Sequence, residues 1–263
     1  MSTLTYAVRD SNTMLRRNLK RMVRYPSMTL MLIGIPVIFL LLFVFVFGGT
    51  LGAGLGGVAG GRAEYANYVT PGVLLIGVAG VAQGTAISVA MDMTEGIIAR
   101  FRTMAIFRPS VLTGHVIGNL IQSVIGLAVV IGVALLVGFR PNATFIEWVA
   151  ATGVLLMITF AVIWFSVACG LVSKSVETAS NLPMPLILLP FLGSGFVPTD
   201  SMPTAMAWFA EYQPFTPVME TLRGLLLGTP IGNSALLAVA WSAVISIGSY
   251  LWAKKLYNRD PSS

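Results

Sequence analysis

The stretch Met91–Pro109, MDMTEGIIARFRTMAIFRP, decides how this sequence is read. It sets five charges, Asp92, Glu95, Arg100, Arg102 and Arg108, between two long apolar runs. A charged side chain at the centre of a bilayer costs roughly 2.5–3.5 kcal/mol on an insertion scale. Five unpaired ones would therefore cost on the order of 12–17 kcal/mol, and the stretch is expected in water. Read as a helix, it carries Ile97, Phe101, Met104 and Ala105 on one face at i, i+4, i+7 and i+8, with Asp92, Glu95 and Arg102 near the other. It is an amphipathic knob on a membrane protein.

Outward from that knob, the composition agrees. Of 263 residues, 56% are hydrophobic and only 10% charged, where a soluble domain carries about 25% charged residues. The expectation is an all-α polytopic membrane protein. A net charge of +6 does not imply a nucleic-acid partner, because the Lys and Arg residues lie in the gaps between apolar runs, where they set topology. The first apolar run starts near Met28 and is about 20 residues long, so it reads as a membrane span and not as a cleavable signal. One cysteine, Cys169, excludes an intrachain disulfide and any multi-cysteine metal site. A lone histidine, His115, is no functional lead either.

Residues 1–27 form a cytoplasmic basic segment. Within it, DSNTMLRRNLKRMVRYP (10–26) places Leu15, Leu19, Met22 and Val23 on one stripe among Arg16, Arg17, Lys20, Arg21 and Arg24, an interfacial helix against anionic lipid that Pro26 closes. Its role is either topogenic or mechanical. Six spans are expected at about 28–47, 69–90, 112–138, 149–172, 182–197 and 234–253, with a cytoplasmic loop at 91–111 and a tail at 254–263. The glycine-rich segment 48–61 reads as a mobile connection, not a helix. Trp148 suits an interface anchor. In the second span, Gln83, Thr85 and Ser88 either line a pathway or, the favoured reading, hydrogen-bond between helices. In the third, Asn119 and Gln122 share a face at i, i+3 and are candidates for a pathway entrance. The fifth run carries Pro183, Pro185 and Pro190 and is expected to be bent or short.

The region 198–233 holds two apolar pieces, Ala205–Tyr212 and Val218–Leu227, too short to span. Glu211, Glu220 and Arg223 forbid deep lipid exposure, and Glu220 with Arg223 has the i, i+3 spacing of a pair. Two short re-entrant helices dipping into the outer leaflet are expected. On this map thirteen of the sixteen Lys and Arg residues lie inside and only Arg62, Arg140 and Arg223 outside, which satisfies the positive-inside rule with both termini cytoplasmic.

The chemistry an enzyme would need is missing. No lysine follows a glycine, so there is no phosphate-binding G-x-x-x-x-G-K-[ST], and neither G-x-S-x-G nor H-E-x-x-H occurs. No catalytic or metal-binding residue is assigned. Carboxylates within the expected spans are nearly absent, which argues against an ion-coupled carrier. What remains is a membrane pathway without its own engine, and the 91–111 loop is where a soluble motor could push. The bland alternative is a solvated loop held inside by its arginines. The rival classes are an intramembrane enzyme and a structural membrane scaffold.

Several motifs also carry a resemblance. They are the basic helix followed by Tyr25-Pro26, the span ending Phe47-Gly48-Gly49, Tyr68-Val69-Thr70-Pro71-Gly72, Glu95-Gly96-Ile97 through Arg100-Phe101-Arg102, and Gly114. The C-terminal set adds Ser194-Gly195-Phe196-Val197-Pro198, Met202-Pro203, Gln213-Pro214-Phe215-Thr216-Pro217, Glu220, Arg223-Gly224 and Gly228. Together they resemble the permease subunit of type-2 ABC (ABC-2) exporters, most closely the daunorubicin-resistance subfamily, over nearly the whole chain.

The resemblance implies the six-span ABC-2 fold, with two such subunits, a homodimer or a homologous pair, around a central pathway. It also implies two separate ATP-binding cassette subunits, which hold the ATP and Mg; this chain needs no cofactor of its own. By the same analogy Glu95, Ile97, Arg100, Phe101 and Arg102 form the coupling helix, and Arg16, Arg17, Lys20 and Arg21 belong to a connecting helix. Residues 198–228, with Pro198, Pro203, Pro214, Glu220 and Arg223, form the outer gate. The implied function is export of a hydrophobic drug, antibiotic or lipid across the plasma or inner membrane. Two departures stand out: Ala99 replaces the acidic residue common before the first loop arginine, and the proline after the arginine pair is delayed to Pro109.

Overall fold

The structure is a computed structural model that describes residues 3–24, 26–54, 61–97 and 109–257. Helix α1 spans Thr3–Arg24, α2 Pro26–Leu41, α3 Gly48–Gly54, α4 Arg62–Thr94, α5 Pro109–Val137 and α6 Phe145–Val172. Short helices α7 (Val176–Asn181), α8 (Pro185–Leu188), α9 (Thr204–Tyr212) and α10 (Phe215–Leu227) precede α11 (Ser234–Tyr257). No strand occurs among the described residues. Among the described residues, five helical segments are long and apolar enough to cross a membrane: Thr29–Ala53, Arg62–Thr94, Leu112–Val137, Phe145–Val172 and Ser234–Tyr257.

Helix α4 is the central pillar. Its 33 residues rise roughly 50 Å at 1.5 Å each, well beyond a hydrocarbon core of about 30 Å. Its most apolar stretch is 72% buried, against 17% for the first and last spans, which turn their apolar surface outward. Helices α2, α5, α6 and α7 pack around it, while α11 packs on α6 and α10. The core is built from side chains such as Val73, Leu74, Ile76, Ile158, Phe215 and Leu222. At the start of α6, the Thr144 hydroxyl accepts from the Glu147 amide while the Glu147 carboxylate accepts from the Thr144 amide at 2.6 Å, a reciprocal cap on two donors that lack helical partners.

Several sequence expectations are corrected. The helix that holds the second expected span begins at Arg62 and continues through Thr94, so Asp92 belongs to this helix and not to a loop. A single helix across 91–105 does not form, because Gly96 adopts φ +70 and ends α4; glycine enters this left-handed region without a Cβ penalty. Pro109 opens α5. The glycine-rich segment is helical over Gly48–Gly54. The first span reaches it through a π-helical turn, Leu42–Phe47. There a Cβ at Gly52 would sit 2.6 Å from the Gly61 carbonyl, so the missing side chain allows close approach.

Residues 182–197 form a succession of turns around the four-residue α8 and not one spanning helix. Prolines 183, 185 and 190 remove amide donors, and several turns close with i→i+3 bonds, such as Leu186 to Pro183 at 2.9 Å. Phe191 and Phe196 from this segment stack at 4.6 Å, and Phe196 lies 4.3 Å from Phe43 of the first span.

Candidate functional site

Two polar clusters mark the two ends of α4. Tyr68 and Asp92 lie 24 residues apart on it, about 36 Å along the axis.

At the C-terminal end, Asp92 is 1% exposed. Both its oxygens accept from Arg17 of α1, at 3.1 and 2.9 Å, in the two-pronged geometry that suits a guanidinium. Its Oδ2 also lies 3.0 Å from Nε2 of His115 on α5, and the other ring nitrogen of His115 lies 3.3 Å from the Ser88 hydroxyl on α4. One carboxylate thus joins three helices. The helices can meet because Gly114 and Gly118 open a seat for α1. A Cβ at Gly114 would stand 2.6 Å from Cβ of Met14, and Asn18 Nδ2 donates to the Gly114 carbonyl at 3.3 Å. The buried stripe of α1 is therefore Met14 and Asn18, whereas Leu15, Leu19 and Met22 are half-buried.

On the outer side of this junction lies a groove of about 580 Å³ bounded by Arg16, Arg17, Lys20 and Arg24 of α1 and by Asp92 and Glu95 of α4. On its inner side a cavity of about 240 Å³ opens among α1, α2, α4 and α5. Asn18, Thr29, Gln83, Ser88, Asn119 and Gln122 supply its polar wall, and Leu32, Ile35 and Ile87 are among its apolar residues. Gln122 donates to the Thr29 hydroxyl at 3.1 Å and Gln83 to the Ser180 carbonyl at 3.2 Å. Thr85 bonds within its own helix, to the Val81 carbonyl at 2.8 Å.

At the other end of α4, Arg223 of α10 is 4% exposed. It donates to the Tyr68 carbonyl at 3.2 and 3.1 Å, to the Ser194 hydroxyl at 3.2 Å and carboxylate oxygen of Glu220 at 2.6 Å, and also to the Ser194 carbonyl. Its guanidinium carbon sits 3.9 Å from the centre of the Tyr68 ring, a cation–π contact. Tyr68 in turn donates to the Ser194 carbonyl at 2.9 Å. Gly72 and Gly195 allow this approach, since a Cβ at Gly72 would lie 2.8 Å from the Gly195 carbonyl oxygen. Gln213 ties the same loop, donating to Leu189 and Thr216 at 3.3 and 2.7 Å.

The residues singled out from the sequence fall as follows. Arg16, Arg17, Lys20 and Glu95 face one groove; Arg21 lies in α1. Ile97 is helical again after Gly96, and Arg100, Phe101 and Arg102 lie outside the described residues. Asn119 and Gln122 share the cavity. Pro203 and Pro214 precede the first residues of α9 and α10, Pro198 precedes the turn Thr199–Ser201, and Glu220 and Arg223 are paired.

Two residues were misread. Asp92 is not on a solvated knob, because inside the protein Arg17 pairs with it and His115 lies within hydrogen-bond distance. His115, set aside as isolated, is its partner. The signal that finds them is spacing: no helix breaker separates Ala90 from Asp92, and Gly114 and Gly118 recur at i, i+4.

Residues 10–227 match the family described as ABC-2 type transporter. Over 225 residues the chain is 31% identical to the daunorubicin resistance ABC transporter permease protein DrrB1 of Streptomyces coeruleorubidus, covering 85% of this chain and 77% of that protein. Over 162 residues it is 22% identical to the "Probable doxorubicin resistance ABC transporter permease protein DrrC" of Mycobacterium tuberculosis, covering 62% of this chain and 59% of that one.

Proposed function

The chain belongs to the ABC-2 type transporter family, and from that premise we propose that it is the permease subunit of an ATP-driven exporter. It moves a hydrophobic compound, a drug-like antibiotic or a lipid, out of the cytoplasm or the inner leaflet. Its relatives bear the names of daunorubicin and doxorubicin resistance permeases, which favours a drug-like cargo.

The observation that carries this reading is the Asp92 junction. It couples the end of α4 to α1 and α5 beside the cavity. Force delivered by an ATP-binding subunit beyond the end of α4 would reach the cavity walls as rigid-body movement of packed helices. Glu95, Ile97, Arg100, Phe101 and Arg102 make the contact, with Arg16, Lys20 and Arg21 beside it. Two ATP-binding cassette subunits, which supply the ATP and Mg, and a second permease copy complete the assembly; this chain is a transport subunit and not an enzyme.

Both termini are cytoplasmic. Lys254 and Lys255 in the last turn of α11 then require an even number of crossings, so the proline-broken segment 182–197 makes the sixth. Residues 198–233 with α9 and α10 re-enter the outer leaflet and gate the exit, held by Arg223.

The test is reconstitution of the chain with an ATP-binding cassette protein that co-purifies with it, in inside-out vesicles, with doxorubicin accumulation as the readout. Accumulation is expected only with ATP and both proteins. An ATP-binding partner that never co-purifies, or uptake that persists without this chain, rejects the proposal.

A further inference from the structure

The cavity among α1, α2, α4 and α5 lies within one protomer and is kept open by the sequence itself. Gly80, Gly84 and Ser88 recur at i, i+4, i+8 along the α4 wall. A Cβ at Gly80 would meet no atom within 4 Å, and one at Gly84 only Leu32 at an ordinary 3.7 Å. At Gly72, Gly114 and Gly170 an added Cβ collides with a neighbouring element; at Gly80 and Gly84 packing makes no such demand. What their absent side chains provide is space.

A second, independent observation concerns the opposite wall. Asn119 lines the cavity and is 5% exposed, yet its Nδ2 has no hydrogen-bond partner among the described residues. A buried amide donor left unpaired costs about 1–3 kcal/mol, and an occupant that accepts a hydrogen bond would relieve that cost. The other side-chain amides lining the cavity each donate a bond: Gln122 to Thr29, Gln83 to Ser180 and Asn18 to Gly114. On the α2 side, Met31 both lines the cavity and is 67% exposed, so the opening faces the surface that a span turns to lipid.

We infer that this cavity is a binding site for a lipophilic molecule bearing a carbonyl or similar hydrogen-bond acceptor. The molecule enters sideways from the bilayer past Met31 and sets its acceptor at Asn119. The inference rests on reading the chain as an exporter of hydrophobic compounds, which makes such a site a loading position inside each protomer. About 240 Å³ holds a ring system or a segment of acyl chain, with the remainder projecting into the bilayer. Two sources offer this chemistry, the exported compound and the ester carbonyls of a membrane phospholipid.

The experiment uses the purified full chain in detergent, without nucleotide or ATP-binding partner. Doxorubicin binding is followed by fluorescence quenching, and retention of a diacyl phosphatidylethanolamine by native mass spectrometry. Gly80→Leu puts a side chain into the space from a position where the first added carbon meets nothing within 4 Å, and Asn119→Leu removes the amide at similar volume. Both variants are expected to elute as the parent does and to lose at least tenfold in affinity for one probe. Loss of doxorubicin binding identifies the exported compound as the occupant; loss of lipid retention alone identifies a resident phospholipid. Should Gly80→Leu alter the elution profile, Asn119→Leu decides.

Parent-like binding of both probes by the variants overturns the inference, as does a parent that binds neither. Unchanged binding beside intact ATP-driven transport removes the cavity and leaves the exporter. Lost binding in a chain that no ATP-binding protein drives keeps the cavity and removes the exporter.

Discussion

Asp92 and Arg223 are both buried, but a buried ion survives only if its partners replace the water it loses, and the two solve this differently. Asp92 is an acceptor held by Arg17 and His115, so Asp92→Asn keeps the volume and removes the charge that both partners face. Its stability should fall by about 1.5–3 kcal/mol, the scale of a hydrogen bond to a charged group, read as a lower thermal midpoint in detergent. Arg223 spreads its donors over Tyr68, Ser194 and Glu220. Arg223→Lys keeps the charge but loses the planar fork that reaches all three. It should therefore behave as a loss variant, less stable by about 1–3 kcal/mol in a denaturant titration. A lysine variant as stable as the parent would mean that charge alone holds the outer loop.

Among the elements, the glycines of the spans sort by what their missing side chains avoid. Gly72→Ala drives a methyl against the Gly195 backbone, and overpacking of this kind costs about 1–3 kcal/mol. Gly34 in α2 meets nothing within 4 Å, so Gly34→Ala should stabilise by about 0.5–1 kcal/mol through helix propensity. Thermal melts of the two variants side by side should move in opposite directions. At the start of α6, Thr144→Ala removes the reciprocal cap and should cost about 1 kcal/mol. The two glycine signs are not legible from the sequence alone, because Gly34 and Gly72 look alike until the neighbouring element is known.

Across the whole molecule, α4 carries the Asp92 junction at one end and the Arg223 clamp at the other, with the cavity beside the first. Reversing the charges at Glu95 and Arg102, as Glu95→Lys with Arg102→Glu, should abolish ATP-driven transport while membrane insertion and the yield of folded protein stay unchanged. Parallel assays of doxorubicin accumulation and membrane yield check this; undiminished transport would remove these residues from the coupling contact.

Much of this architecture was readable in advance. Long apolar runs separated by basic gaps mark membrane helices because hydropathy sums over a segment and needs no partner. The same arithmetic anticipated the short helices near 205–227 and the Glu220–Arg223 pair, an interaction confined to one turn. It mislaid Asp92, whose partners lie 75 and 23 residues away in the chain, and an apolar count does not register how the prolines break 182–197 into turns. The sequence by itself thus determined the long apolar helices. Only the tertiary structure decided which charge is neutralised inside, which glycines leave a void and which seat a neighbour, since those depend on atoms brought together across the fold.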